Sequence, residues 1–466
     1  MANRQHLVLL LSAALVTYLI GNARVSLWDR DEPRYAQTSR QMVRSGDWVV
    51  PRLYDVVRTK KPPLVYWCQA SCMAVFGDKG NTGAAAARMP SAIAMTATLA
   101  MLAIVIGGKR GVLAAFILGS TALVFWSAKS ALTDSILLFF ITAAQLGVMA
   151  LWKGNRSWWI AIITAAAIGL GGLTKGPIVL AIPGATLLVL WIASPNRWAM
   201  PKITGRAILQ LLVGILIIVA IVVPWLIQVE HRSPGFLRQA LLHEVVDRAR
   251  DPQEGHSGPP GYYFALIWAT YFPWSLLLPA ALVAAWKRRE IPEVRFALAA
   301  VIGPWIMLEI YRTKLPHYLL PAYPFLAWMT ADLLLDMPAT LTGIGFKKVV
   351  TVWTVVIALV GLSPWILLRW FSLSTGAVIG LSAFTIIAME FAHQVRRAFL
   401  ADRPMLASTI LGSGMFALVA ALHIGFLPQA DFLQISRRVA AYLPPGESAR
   451  MIDYKEPSLA FYQGGT

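Results

Sequence analysis

Apolar runs of about twenty residues recur along this chain from Leu7 to Phe426, and no other feature restricts its fold as severely. Each run is long enough to cross a hydrocarbon layer ~30 Å thick as a helix. In lipid the backbone has no water to bond, so runs of this kind fold as helices. Thirteen spans are read, at approximately 6–23, 86–107, 112–128, 133–152, 157–172, 177–194, 207–229, 262–286, 296–311, 316–336, 349–368, 374–394 and 405–427. Of the 466 residues, 57% are hydrophobic and 14% charged, against about 25% charged in soluble domains. A disordered chain, a coiled coil and an ordinary cytosolic enzyme are excluded. The expected fold is all-α and polytopic, with about 13 transmembrane helices.

Orientation follows from the basic residues. With the N-terminus inside, the inner segments carry 17 Lys and Arg, and the short outer turns carry five (Lys129, Lys175, Arg312, Lys314, Arg369). That asymmetry obeys the positive-inside rule and puts the C-terminus outside after thirteen crossings. The first span is read as an uncleaved anchor. Most of the other basic residues lie in three longer outer segments, 24–85, 230–261 and the tail after 427. Topology does not explain these. With a net charge of +18, a cationic outer face suits an anionic substrate and membrane lipids. Nucleic acid is not expected at that face.

Residues 1–427 are read as one transmembrane domain and 428–466 as a short outer tail. In the 24–85 loop, Asp31-Glu32-Pro33 opens a helix that Gly46 ends. Lys60-Lys61-Pro62-Pro63 opens a second helix, roughly 64–76, ended by Gly77. Both are expected to be amphipathic and to lie at the membrane interface. In the tail a helix over 433–443, a strand over 449–453 and a helix over 457–462 are expected. Cys68 and Cys72, the two cysteines, exclude a disulfide scaffold or a Cys-rich zinc site.

The residues that carry chemistry gather in the outer connections. Asp31 and Glu32 stand beside Arg34 at a helix N-terminus. Either acid serves as a plain helix cap, and one of them serves equally as a general base facing an acceptor hydroxyl. Asp134, at the outer edge of the fourth span, needs a partner there. Lys60 and Lys61 precede two prolines, and Lys175 sits in a tight turn. Arg248 and Arg250 lie in the 230–261 loop. Arg312 and Lys314 precede Pro316-His317-Tyr318. A lone interfacial lysine is an ordinary membrane anchor. Cations from five separate connections suit a phosphate whose charge develops on a leaving group. The histidines His243, His256 and His317 show no close ligand pair, and no metal is expected. Nor is there a P-loop, a dinucleotide fingerprint or a nucleophile elbow.

Three stretches together have a precedent. Asp31-Glu32-Pro33-Arg34-Tyr35-Ala36, Ser45-Gly46-Asp47-Trp48 with Pro51, and Lys61-Pro62-Pro63-Leu64-Val65-Tyr66-Trp67 resemble the first outer loop of GT-C glycosyltransferases. The resemblance is to the aminoarabinose transferase and protein O-mannosyltransferase-like branch. It extends over about 25–325 and includes Leu173-Thr174-Lys175-Gly176-Pro177 and Lys314-Leu315-Pro316-His317-Tyr318. It implies a polyprenyl-phosphate sugar donor used on the periplasmic side of a bacterial inner membrane. By motif position Asp31 is the catalytic aspartate, Arg34 its partner, Lys61 a ligand of the lipid phosphate and Asp134 the second acid. Lys175, Arg248 and Tyr318 complete the pocket, with Glu32, Lys60, His243, Lys314 and His317 as further substrate-binding candidates. In the aminoarabinose transferases the residue before the Lys-Pro motif is acidic. Here it is Lys60, so no metal site is carried over. Those enzymes also have a sizeable periplasmic domain where this chain has a short tail.

The expected reaction is an inverting, metal-independent transfer to lipid A or another envelope glycolipid. The alternatives are a protein acceptor, and a flippase for an anionic lipid-linked sugar. A transporter would place ionisable groups near the bilayer midplane, with internal repeats; the charged motifs here cluster at one face.

Overall fold

The computed structural model describes residues 2–28, 30–193, 204–241, 257–443 and 457–464. Helix predominates among them. Among the described residues, eight helices are long and apolar enough to cross a membrane, and a bent pair would make a ninth crossing. Written in chain order, the early elements are α1 (Ala2–Leu19), α2 (Asp31–Ser45), the hairpin β1 (Arg52–Leu53) and β2 (Val56–Val57), α3 (Leu64–Phe76) and α4 (Gly80–Ile106). Then come α5 (Gly108–Gly119), α6 (Ala122–Ala128), α7 (Asp134–Trp152), α8 (Trp158–Lys175), α9 (Ile178–Ile192), α10 (Gly205–Arg232) and α11 (Phe236–Leu241). The second half holds α12 (Tyr262–Thr270), α13 (Leu278–Lys287), α14 (Pro292–Ile310), α15 (Tyr323–Asp336), α16 (Ile344–Leu368), α17 (Thr375–Leu400) and α18 (Pro404–Ala421). The tail contributes α19 (Ile435–Tyr442) and α20 (Pro457–Gln463), and the strand expected over 449–453 lies outside the described residues.

The outward faces identify the solvent. The most apolar window of α10 is only 6% buried within the protein, and Ile208, Leu211, Leu216 and Ile227 point outward from it. Water would penalise that surface by about 25 cal/mol per Å², whereas acyl chains do not. This is a multi-pass membrane protein. Its core runs through α1, α4–α7, α13–α15, α17 and α18.

Two sequence spans are broken, and the breaks satisfy one another. The 112–128 run bends by 72° between α5 and α6. The 262–286 run divides into α12 and α13 around Pro273, which has no N–H to continue a helix. The freed Ala122 N–H donates to the Phe272 carbonyl at 2.8 Å, and the Trp274 indole N–H donates to Ser120 Oγ at 3.0 Å. Non-helical backbone at this depth is stable only when such partners exist.

Helix ends segregate charge. At one end of the bundle Arg110 pairs with Asp332 (2.8 Å) and Asp336 (2.7 Å), and Arg288 pairs with Asp336 (2.6 Å). These bonds pin α5, α13 and α15 together. The other end holds the start of α7, the end of α8 and the 24–79 connection. Here Lys129 Nζ donates to the carbonyls of Thr17 (2.9 Å) and Ile20 (2.7 Å), placing a cation on the C-terminus of α1.

Candidate active site

Antiparallel packing of α7 and α8 sets the first half of the site. Asp134 is the first residue of α7 and Lys175 the last of α8, so each charge complements its own helix dipole. Gly176, with φ of 73°, stops α8, and Pro177 starts the next turn. The two ends therefore lie side by side, and Lys175 Nζ reaches Asp134 Oδ1 at 2.8 Å. The Pro316–Ala322 3₁₀ turn brings His317 Nε2 to 3.8 Å from Asp134 Oδ2. Tyr318 lies with its ring 4.9 Å from Lys175 Nζ. Trp126 stacks on His317, with ring centroids 5.6 Å apart. Lys61, buried just before α3, is within electrostatic reach of the same carboxylate, and its Nζ donates to the Lys60 carbonyl at 3.0 Å.

The second half is built on α2, which Gly46 closes in a left-handed conformation. Asp31 sits in its first turn and pairs with Arg34 at 3.2 Å. Tyr35 connects the halves. Its ring stacks on Tyr66 at 5.5 Å, and the Arg58 guanidinium lies over it at 5.1 Å. Burial, then the neighbouring Tyr66 hydroxyl and the carboxylates of Asp31 and Asp134, hold the Tyr35 hydroxyl well above the ordinary phenol range. One buried phenol thus senses both acids. Arg58, which the sequence reading passed over, donates Nε to Tyr66 Oη at 2.8 Å and is itself buried.

The two aspartates differ in access. The Asp31 side chain is 51% exposed, and that of Asp134 is 7% exposed. Asp31 can meet an incoming group and exchange a proton with it. Asp134 is suited to holding cations in place. The arrangement offers the ammonium groups of Lys61 and Lys175 near one buried carboxylate, and a second carboxylate open to solvent.

Other candidates fall elsewhere. Glu32, expected to meet substrate, is instead closed in: it accepts from Arg88 Nε (2.9 Å) and Nη2 (2.7 Å), from the Ala131 N–H (2.6 Å) and from the Trp28 N–H (2.5 Å). Arg88 also donates to the carbonyls of Asn22, Val25 and Ser26. Lys314 is engaged by Glu309 at 2.7 Å and by the Pro259 carbonyl at 3.0 Å, so it fastens the 257–261 turn to α14. Lys60 is exposed at the loop surface. His243 and Arg248 lie outside the described residues. Two cavities, of about 330 Å³ beside Phe371 and Phe432 and about 270 Å³ beside Met42 and Val50, lie off the cluster.

A helical membrane bundle that gathers carboxylates and cations at helix ends on one face defines a class of protein that handles charged groups at the bilayer boundary. The chain belongs to the family described as dolichyl-phosphate-mannose-protein mannosyltransferase, whose model matches residues 6–238. It is 31% identical over 343 residues to the undecaprenyl phosphate-alpha-4-amino-4-deoxy-L-arabinose arabinosyl transferase of Serratia proteamaculans, covering 72% of this chain and 60% of that protein. The enzyme of the same name from Enterobacter sp. is 29% identical over 380 residues, covering 78% and 66%. This chain thus spans about three fifths to two thirds of the length of these relatives. In fold it is similar to ArnT from Cupriavidus metallidurans bound to undecaprenyl phosphate. That likeness has a TM-score of 0.77 at 22% identity, over 98% of this chain and 84% of the other. The apo form of the same protein gives 0.78 at 21% identity, over 100% and 85%.

Proposed function

We propose that this protein transfers a sugar from a polyprenyl phosphate, of the undecaprenyl type, to lipid A or another envelope glycolipid on the periplasmic side of a bacterial inner membrane. The observation that carries the reading is the junction of Asp134, Lys175, His317 and Lys61, joined through Tyr35, which lies within electrostatic reach of both acids, to the open carboxylate of Asp31. The names of the relatives, each specifying an undecaprenyl phosphate sugar, support it.

The donor's prenyl chain lies in the bilayer and its phosphate rests on Lys61 and Lys175, with Arg248 as a third cation. Asp31 accepts the proton of the acceptor hydroxyl as the oxygen attacks the anomeric carbon. The bond from that carbon to the phosphate oxygen breaks, and its electron pair leaves with the lipid phosphate. Where the acceptor is itself a phosphate, Asp31 orients it. The cations stabilise charge that grows as the bond breaks, which is the part of binding that accelerates a reaction. A single displacement inverts the anomeric centre. Arg34 and Tyr318 shape the two sides of the pocket.

The topology belongs to the same proposal. Thirteen crossings carry the chain from a cytoplasmic N-terminus to a periplasmic C-terminus. Residues 1–427 form the catalytic domain, with α2 and α3 at the membrane interface, and 428–466 form the periplasmic segment. The basic start of α5, the basic end of α13, and Lys153 and Arg156 between α7 and α8, all at the end away from Asp134, support that orientation.

The test is incubation of the membrane-reconstituted protein with labelled undecaprenyl-phosphate sugars and lipid A. Label in the acceptor supports transfer, and label carried across the bilayer without transfer defeats it. Lys61→Ala is expected to weaken binding of undecaprenyl phosphate about tenfold to a hundredfold, the worth of a charge-assisted hydrogen bond. Unchanged binding in a calorimetric titration would remove Lys61 from the phosphate site.

A further inference from the structure

The tail helix α20 grips the segment that carries Asp31. Phe461 is fully buried and belongs to one apolar cluster with Leu27, Ala36, Met73 and the alanines 84, 86, 87 and 131. Walls made mostly of alanine leave a space that one aromatic ring fills. Ala36 stands on α2, five residues after Asp31, and Ala131 stands three residues before Asp134. One buried cluster thus holds Phe461 together with residues from both stretches of chain that bear the acids.

Polar bonds fix the same arrangement. Arg40 of α2, a fully buried cation, donates Nη1 to the Phe461 carbonyl at 2.7 Å, and its guanidinium lies 4.4 Å from the Phe461 ring centroid. Arg44 donates to the Gly464 carbonyl at 3.2 Å. Two arginines of α2 thus face the carbonyl-rich end of α20, where the helix dipole favours them. The Leu27 N–H donates to Tyr462 Oη at 2.8 Å. Ser26 donates its N–H (3.0 Å) and Oγ–H (2.7 Å) to Gln434 Oε1, and Arg437 donates to the Arg24 carbonyl at 3.0 Å. Ser436 and Ser458 share a hydrogen bond at 2.6 Å that ties α19 to α20.

We propose that Phe461 and Tyr462 are positioning residues: α20 is a wedge that sets the separation of Asp31 from Asp134 and so the alignment of acceptor with donor phosphate. The inference rests on the reading of Asp31 as the acceptor's base. It assigns to the tail a part in catalysis, exerted through α2 and the 129–133 turn.

Phe461→Ala, Phe461→Leu and Tyr462→Phe test it in the full chain. Each is assayed for kcat and donor KM per folded enzyme, and for amide hydrogen exchange over 31–45. Phe461→Ala is expected to lower kcat by about 30-fold or more, since misplacing reacting groups by about 1 Å can cost about 10²-fold. Donor KM should stay within about twofold, because the phosphate site on Lys61 and Lys175 is unaltered. Amide protection along α2 should fall. Phe461→Leu should recover most of the rate, and Tyr462→Phe should lose several-fold. A kcat for Phe461→Ala within about twofold of wild type per folded molecule, or unchanged exchange along α2, overturns the wedge. If Phe461→Ala does not fold, Tyr462→Phe decides: a wild-type kcat overturns the proposal and a reduced kcat at constant KM supports it. If the wild-type protein transfers sugar from no polyprenyl-phosphate donor, the function reading fails, and exchange along α2 alone decides whether the tail is coupled to it.

Discussion

Asp31→Asn is expected to abolish sugar transfer while the protein inserts and folds as before. General base catalysis contributes about 10²–10⁴-fold, and asparagine keeps the shape of the side chain but cannot take the acceptor's proton. The fold should tolerate the change. The carboxylate is half exposed and its partner Arg34 is three residues away on the same helix, a pairing worth roughly 0–1 kcal/mol. Initial rates with labelled donor, beside a melting curve and a monodisperse elution profile, provide the check. Near-normal turnover would remove Asp31 from the mechanism. If the acceptor is a phosphate, the loss should shrink toward the lower end of the range, because only orientation is lost.

Glu32→Ala, one residue along, is expected to do the opposite and dismantle the structure. The Glu32 and Arg88 side chains are 3% and 4% exposed. Truncating one member of a buried pair leaves an uncompensated charge, at a cost of about 3–5 kcal/mol. The orphaned backbone N–H groups of Trp28 and Ala131 add to the loss. Membrane-inserted yield should fall and chemical unfolding should shift to lower denaturant. A stability change below about 1 kcal/mol would contradict the role assigned to Glu32. Adjacent acids should thus separate chemistry from folding.

Much of this was legible in the sequence because each signal was local. Apolar runs give helices, Gly46 and Gly77 give helix ends, and Lys-Pro-Pro gives a helix start. Asp134 stands where an apolar run begins, so its need of a partner was legible, but that the partner is Lys175 was not. What escaped was the identity of partners across space. Glu32 and Lys314 look like binding residues until Arg88 and Glu309 are seen to occupy them. Arg88 carried a usable signal: a cation inside an apolar span must have a counter-charge, and an acid near the outer loop was the natural one. Arg58 gave no such sign, because a loop arginine is ordinary until it is found over the Tyr35 ring. The breaks at Ser120 and Pro273 were hidden for a related reason. Hydropathy records how apolar a run is and not whether its backbone bends, and each break depends on hydrogen bonds supplied by the other.

The most direct measurement is an experimental structure of the membrane-embedded protein with undecaprenyl phosphate bound. The account predicts phosphate density within about 3–4 Å of the Lys61 and Lys175 ammonium groups, with the prenyl chain running into the bilayer and the Asp31 carboxylate open to the side opposite the phosphate. Lipid phosphate bound elsewhere, at the Arg110–Asp336 end or in the cavity beside Phe371, would contradict it.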